Sequence, residues 1–364
     1  MLDRGLTGSG IDGIGHYCQE LLTEFANEPS IQIAPFSFGT KRSSVDAELL
    51  PSYIQHCSRG LLKLERSSSG TTTFFKAVDI VHATDQLIPI VTNKPLIATV
   101  MDTIPLSHPE FIKASSRHLK TYLWKKLTER SDHIITISEF SKNEIANHMG
   151  YPIEQITSIP LGVDQRYFDK VPAEQIKSVL NKFSIDRPFF LFIGSIQPRK
   201  NILRLLQAHA ALPKNYAREF PIVVAGKIAW DDGQILKAIQ AGVADKRCIW
   251  LNYISDLEKR SLLQATIGLA FTSLYEGFGL PILEAFASGA PVITSNRTSM
   301  PEVVQDAGIL VDPYDLGAIK LALQCLIEDQ PLGQKFALKG LSISQRYTWA
   351  KVAKSTEEIY SQYV

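Results

Sequence analysis

Apolar runs of four or five residues alternate along the chain with longer stretches whose apolar positions recur at helical spacing. A strand covered on both faces reads as a continuous apolar run. The alternation therefore predicts parallel sheets with helices on either side. Strands are predicted at 79–83, 96–100 and 133–137 in the first half, and at 189–193, 222–225, 247–251, 268–271 and 291–294 in the second. Each is followed by a glycine, a turn residue or the start of a helical pattern, as a βα unit requires.

Two doubly wound halves follow from this pattern. A Gly/Pro turn at 160–164 and a charged, helix-like segment at 173–183 mark the joint. The predicted division is an N-terminal domain at 1–165, a C-terminal domain at 166–345 and a final segment at 346–364. In that segment Trp349, Val352, Ala353, Ile359 and Tyr360 form a broken helical stripe, which predicts a terminal helix docked back on the N-terminal domain. Residues 67–73, all Ser, Gly or Thr, read as a loop.

Composition narrows the class. The 364 residues are 45% hydrophobic and 21% charged, which suits a globular enzyme-like chain and excludes a disordered or collagenous one. Lys and Arg number 38 against 37 Asp and Glu, a net charge of +1, so a whole-protein nucleic-acid footprint is excluded. Cys18, Cys57, Cys248 and Cys325 stand far apart, which excludes a zinc ribbon and a disulfide scaffold and fits a reducing cytosol. No apolar run approaches the roughly 18–20 residues of a membrane helix. The first residues lack the basic start and apolar core of a signal peptide. Almost no strand precedes the first glycines, so the start is expected to be clipped.

The richest chemistry lies at 274–289. This segment follows a buried strand and opens a helix. Gly277 and Gly279 let backbone approach a ligand closely. Pro281 suits a first helical position. Free N–H groups and the positive end of the helix dipole make a diphosphate site. Glu276 is expected in the loop and Glu284 in the first helical turn, both suited to accept hydrogen bonds from sugar and ribose hydroxyls. Glu284 in a first turn is also favourable for the helix alone, by roughly 0.3–1 kcal/mol. A second cluster, 194–201, follows the 189–193 strand. Asn201 is expected to cap a helix at 202–212. Arg199 and Lys200 then lie beside a helix N-terminus, where cations do not help the helix. They read either as anion ligands or as solvated loop cations.

At these residues the chain resembles the retaining glycosyltransferases of family 4. The likeness is strongest over 189–312 and extends more weakly over nearly the whole chain. It rests on Glu276 and Glu284 spaced as Glu-x7-Glu, on Ser-Leu-Tyr-Glu-Gly-Phe-Gly-Leu-Pro at 273–281, on Ala-Pro-Val-Ile-Thr-Ser at 290–295, and on Met-Pro-Glu-Val-Val at 300–304. In the first half, Gly13, Gly15 and His16 are similar to the family's glycine loop, and 138–141 and 160–164 resemble segments leading to its hinge. The resemblance implies an α/β protein of the GT-B fold, with two Rossmann-like domains facing across a cleft. It implies a nucleotide-sugar donor on the C-terminal domain, an acceptor on the N-terminal domain, and transfer with retention.

Carried over by resemblance, Glu276 contacts the donor sugar, Glu284 the ribose, and Lys200 with Arg199 the diphosphate. Gly194, Ser195, Gly277, Phe278, Gly279, Leu280, Gly226, Lys227, Tyr253 and Ile254 complete the implied donor site. Asp102 joins Glu276 and Lys200 as a catalytic candidate. No Asp-x-Asp occurs, so no metal and no cofactor beyond the donor are expected. Two positions depart from the family. Ser195 stands where many members have Arg, and Met101 stands before Asp102 where many have His. His16 is a candidate substitute. The expected donor is a UDP-hexose such as UDP-glucose, with GDP-mannose next. The acceptor is expected to be a glycan or lipid-linked glycan in polysaccharide assembly, at a cytoplasmic site.

The segment 113–130 carries Lys113, Arg117, Lys120, Lys125, Lys126 and Arg130 against Glu129, interleaved with Leu119, Tyr122, Leu123, Trp124 and Leu127. It reads as an amphipathic helix, either laid on an anionic membrane or packed on the N-terminal sheet. Three other readings compete. A catalytically silent sugar-nucleotide binder would explain the departures at Met101 and Ser195. A phosphorylase would need phosphate and pyridoxal sites that are not evident. A dinucleotide oxidoreductase would use the Gly-x-Gly-x-x-Gly match at 8–13, which lacks a preceding strand.

Overall fold

The computed structural model describes residues 13–38, 48–50, 75, 77–91, 93–111, 117–230 and 233–364. The loop expected at 67–73, the start of the 8–13 glycine match and Lys113 lie outside them. The chain divides into two compact units, Met1–Gly162 with Trp349–Val364, and Val163–Thr348.

The second unit is built on a six-stranded sheet. Its strands are β7 (Phe190–Ile193), β8 (Ile222–Ala225), β9 (Cys248–Asn252), β10 (Gly268–Phe271), β11 (Val292–Ser295) and β12 (Ile309–Val311), in the order β12-β11-β10-β7-β8-β9. Every pairing is parallel. All residues of β7, β8, β10 and β11 are buried, so both faces are covered, which is why these strands read as unbroken apolar runs. Phe190, Phe192, Val224, Ala270 and Ile293 share one core with Ile202, Leu205 and Leu206 of the Ile202–Ala210 helix. The chain winds outward through β7, β8 and β9, then returns to wind the other way through β10, β11 and β12. The reversal places the topological switch between β7 and β10, where open α/β sheets bind ligands beyond their strand ends.

The first unit has four parallel strands in sequence order, β3 (Val81–Ala83), β4 (Leu96–Thr99), β5 (His133–Thr136) and β6 (Ile156–Ser158). A separate parallel pair joins β1 (Phe36–Phe38) and β2 (Glu48–Leu50). The Trp349–Tyr360 helix belongs to this unit and packs on the Gly13–Ala26 helix, burying Trp349, Val352, Ala353 and Ile359. Polar side chains tie it to the sheet. His82 makes hydrogen bonds to the Tyr360 hydroxyl at 2.7 Å and to Thr99 Oγ1 at 2.8 Å. Tyr17 meets the same Thr99 oxygen at 3.2 Å. Burial pushes the His82 imidazole down to about 3, so it stays neutral.

All eight predicted strands are present. Among the described residues, the four strands that the pattern did not announce, β1, β2, β6 and β12, have three residues each, too few for a periodic signal. In the Arg117–Thr128 helix, Trp124, Leu127 and Thr128 are buried. Lys125 donates to the His148 carbonyl at 2.8 Å, and Lys126 pairs with Glu129 at 2.7 Å. Two of the basic residues that suggested a membrane surface therefore have partners within the protein. Among the described residues no helix is long and apolar enough to cross a membrane.

Candidate active site

The site is built at the C-terminal edge of the second sheet, from loops that leave β7 and β10 on either side of the switch. After β7 the backbone passes Gly194, whose φ of 142° lies outside the usual range of L side chains. A Cβ on Gly226, which follows β8, would stand 1.9 Å from the Gly194 carbonyl oxygen, so only glycine fits there. The chain then makes a short 3-10 turn, Pro198–Lys200. After β10 it runs through 272–279 into the Leu280–Ala287 helix. Leu274 N–H donates to the Arg199 carbonyl at 2.8 Å, which joins the two loops.

Glu276 is buried where they meet. Lys200 Nζ donates to Glu276 Oε1 at 2.6 Å, and Arg199 donates to Oε2 at 2.8 Å and to the Tyr275 carbonyl at 3.0 Å. Lys200 is itself buried, over the Phe271 ring at 4.8 Å. Burial alone would raise the Glu276 carboxyl, but the Arg199 and Lys200 charges outweigh it and hold it at about 2. Ser299 Oγ donates to the Glu276 and Phe278 carbonyls, each at 2.9 Å. Thr298 adopts φ 57°, uncommon for a β-branched residue, and its Oγ1 lies 3.4 Å from the Glu276 N–H.

Several expectations are corrected. Arg199 and Lys200 are not solvated loop cations: both pair with Glu276, and Lys200 is buried. Asn201 does not cap the following helix. Its backbone is left-handed (φ 58°) and its amide instead donates to the Thr272 and Pro313 carbonyls at 3.0 and 2.7 Å. Glu284 is not in a first turn. The helix begins at Leu280, so Glu284 is its fifth residue, buried and facing Lys259, whose Nζ stands 2.6 Å from its carboxylate. Pro281 is the second helical residue. The glycine loop is helical. Gly13 opens the Gly13–Ala26 helix and Gly15 is buried within it. His16, on its first turn, lies edge-on to Trp349 at 5.5 Å and near Glu20.

The other candidates fall into place around these groups. Gly277 and Gly279 are buried, and Gly279 precedes the helix with φ 105°. Phe278 turns its ring inward against Tyr347. Leu280 is half-buried and Ser195 exposed. Lys227 sits 5.1 Å over the exposed Tyr253 ring, with Ile254 half-buried beside it. Asp102 lies in the first unit, just past β4, and accepts from the Ile104 N–H at 3.1 Å. Sequence reasoning missed Lys259, Tyr167 and Ser299. Only Lys259 had a local signal, the Ser255-x-x-Glu258 box that starts its helix.

Residues 173–341 match the model of glycosyl transferases group 1, and residues 11–167 match that of glycosyltransferase family 4. The O-antigen chain mannosyltransferase B of Escherichia coli is 34% identical over 259 residues, 71% of this chain and 67% of that protein. The chain belongs to the group 1, family 4 glycosyltransferases. The serotype-specific mannosyltransferase WbdA of Escherichia coli is 29% identical over 256 residues, and this transferase spans only 31% of its length. Among solved structures, Anabaena HepE in complex with UDP and glucose superposes with a TM-score of 0.76 at 17% identity, covering 99% of this chain and 98% of that one. At that identity the likeness shows the fold, which is GT-B.

Proposed function

We propose that this glycosyltransferase moves mannose from a nucleotide-diphosphate sugar to a growing surface glycan, with retention at the anomeric carbon and without a metal. The observation that carries the reading is the buried Lys200–Glu276 pair at the switch point, with the half-buried Arg199 beside it. Cleavage of the donor's anomeric C–O bond leaves the electron pair, and a growing negative charge, on the diphosphate. Two cations already desolvated at that edge stabilise such charge strongly. The diphosphate takes Lys200 and Arg199 from Glu276, and the freed carboxylate turns to the sugar hydroxyls. Glu284 accepts from the ribose. Retention comes from the family likeness, and metal independence from the cations that take the metal's place. Asp102 and the Gly13, Gly15 and His16 turn stand on the acceptor side. The acceptor is a glycan or lipid-linked glycan of the O-antigen kind.

Of the two donors left open by the sequence, GDP-mannose now stands ahead of UDP-glucose, because the relatives include O-antigen chain mannosyltransferases and a serotype-specific mannosyltransferase. Calorimetric titration of GDP, UDP, ADP and NAD without added metal, followed by turnover with GDP-mannose, tests the reading. Tight GDP binding and mannosyl transfer are expected. Binding of NAD alone, or of no nucleotide, would overturn it. UDP binding with glucosyl transfer would restore UDP-glucose as the donor.

A further inference from the structure

Glu284 is a buried carboxylate with one cation partner, Lys259. Lys259 is the fourth residue of the Asp256–Ala265 helix. Its start is fixed by a reciprocal cap, in which Ser255 Oγ accepts from Glu258 N–H at 3.3 Å and Glu258 accepts from Ser255 N–H at 2.6 Å. The lysine lies with its Nζ 5.3 Å over the Tyr167 ring. Tyr167 keeps its proton, because burial and the nearby Glu284 and Asp256 carboxylates push the phenol well up, and its hydroxyl donates toward Asp256 at 3.5 Å. The ammonium is thus held by a ring below and a carboxylate in front.

The two carboxylate oxygens differ. Nζ stands 2.6 Å from each, but only Oε1 receives a directed hydrogen bond. Oε2 is sealed from solvent and receives none. With the ammonium 2.6 Å from both oxygens, Lys259 fixes the orientation of the buried carboxylate.

We infer that Lys259 is a positioning residue for the donor's ribose. It holds the Glu284 carboxylate in one orientation, from which the carboxylate accepts from a ribose hydroxyl. This rests on the proposed donor site and adds a residue to it.

The test is the ratio of the dissociation constants of 2′,3′-dideoxy-GDP and GDP, measured by calorimetry on wild type, Lys259→Met, Lys259→Arg and Glu284→Gln. If UDP is the nucleotide bound, the corresponding UDP pair is used. The ratio is taken within each variant, so a reduced folded fraction cancels, and Lys259→Gln replaces Lys259→Met should the latter not fold. Wild type is expected to favour the intact ribose by about tenfold or more, as a lost hydrogen bond to a charged group implies. The ratio should collapse toward one in Lys259→Met and Glu284→Gln and be largely kept in Lys259→Arg. A ratio kept in Lys259→Met but lost in Glu284→Gln would overturn the role of Lys259 and leave the donor site standing. A ratio kept in Glu284→Gln would overturn the ribose assignment itself.

Discussion

Two buried polar clusters, one in each unit, are in opposite electrical states. In the second, Lys200 and Glu276 lie buried as full charges within 2.6 Å of each other, with Arg199 alongside, and Lys259 faces Glu284 nearby. In the first, the buried polar groups at the sheet centre are neutral. His82, Thr99, Tyr17 and Tyr360 form one hydrogen-bonded chain that fastens the terminal helix. A neutral network adds specificity to packing at small electrostatic cost. Buried ion pairs seldom stabilise a fold by more than an apolar pair of the same shape. Charge concentrated at one sheet edge therefore points to a ligand that needs it, and neutral polarity points to architecture.

The hardest blow to that contrast comes from Lys200→Ala. Transfer should fall by about 10²–10³-fold, the usual effect of removing one charge-stabilising donor from a transition state. A steady-state transfer assay that found less than a tenfold loss would mean the cation is architectural too.

Acid separates the two clusters next. A histidine held neutral in the fold leaves the unfolded chain to bind the proton first, so stability is lost as pH falls. For His82 the window runs from about 6.5 down to the folded value of about 3, at about 1.4 kcal/mol per pH unit, and burial lowers His133 in the same direction. Glu276 also costs stability in acid, because its unfolded form protonates before the folded one. Its window lies lower, from about 4.5 down to about 2. Burial also lowers His209 of the second unit, to about 4, so both units begin to lose stability below about pH 6.5. Amide exchange should show the His82 network losing protection near pH 6 and the segments around Glu276 only below about pH 4.5, and loss at one shared pH would erase the distinction between the two clusters.

Glu276→Gln sharpens the contrast at the site. It removes the internal anion from Arg199 and Lys200, so transfer should be lost while nucleoside diphosphate binds about tenfold tighter, or about 1.4 kcal/mol, by calorimetry. Weaker binding would show that the carboxylate organises the cations and does not compete for them. Chelation has the smallest expected effect, since the two cations carry the charge. Turnover in excess EDTA should match turnover without it.

Much of this was written locally. The runs at 190–193, 222–225, 268–271 and 292–295 announce buried parallel strands because neighbouring residues alone set an apolar run. The glycines at 277 and 279 and Pro281 announce the loop-to-helix turn for a similar reason. Three-residue edge strands such as β6 and β12 carried too little period to be seen, and the Leu280–Ala287 helix starts one residue before the Pro281 signal, because the left-handed Gly279 ends the loop there, which leaves Glu284 past the first turn.

By itself the sequence determined the alternation of strands and helices, the two-part division, the family and the loop that carries Glu276. Only the tertiary structure decided who pairs with whom. Lys200 and Glu276 are 76 residues apart, Lys259 and Glu284 are 25 apart, and His82 and Tyr360 are 278 apart. Periodicity depends on adjacent residues. A charge pair depends on which strand ends the winding order brings to one edge of a sheet, and no local pattern encodes that order.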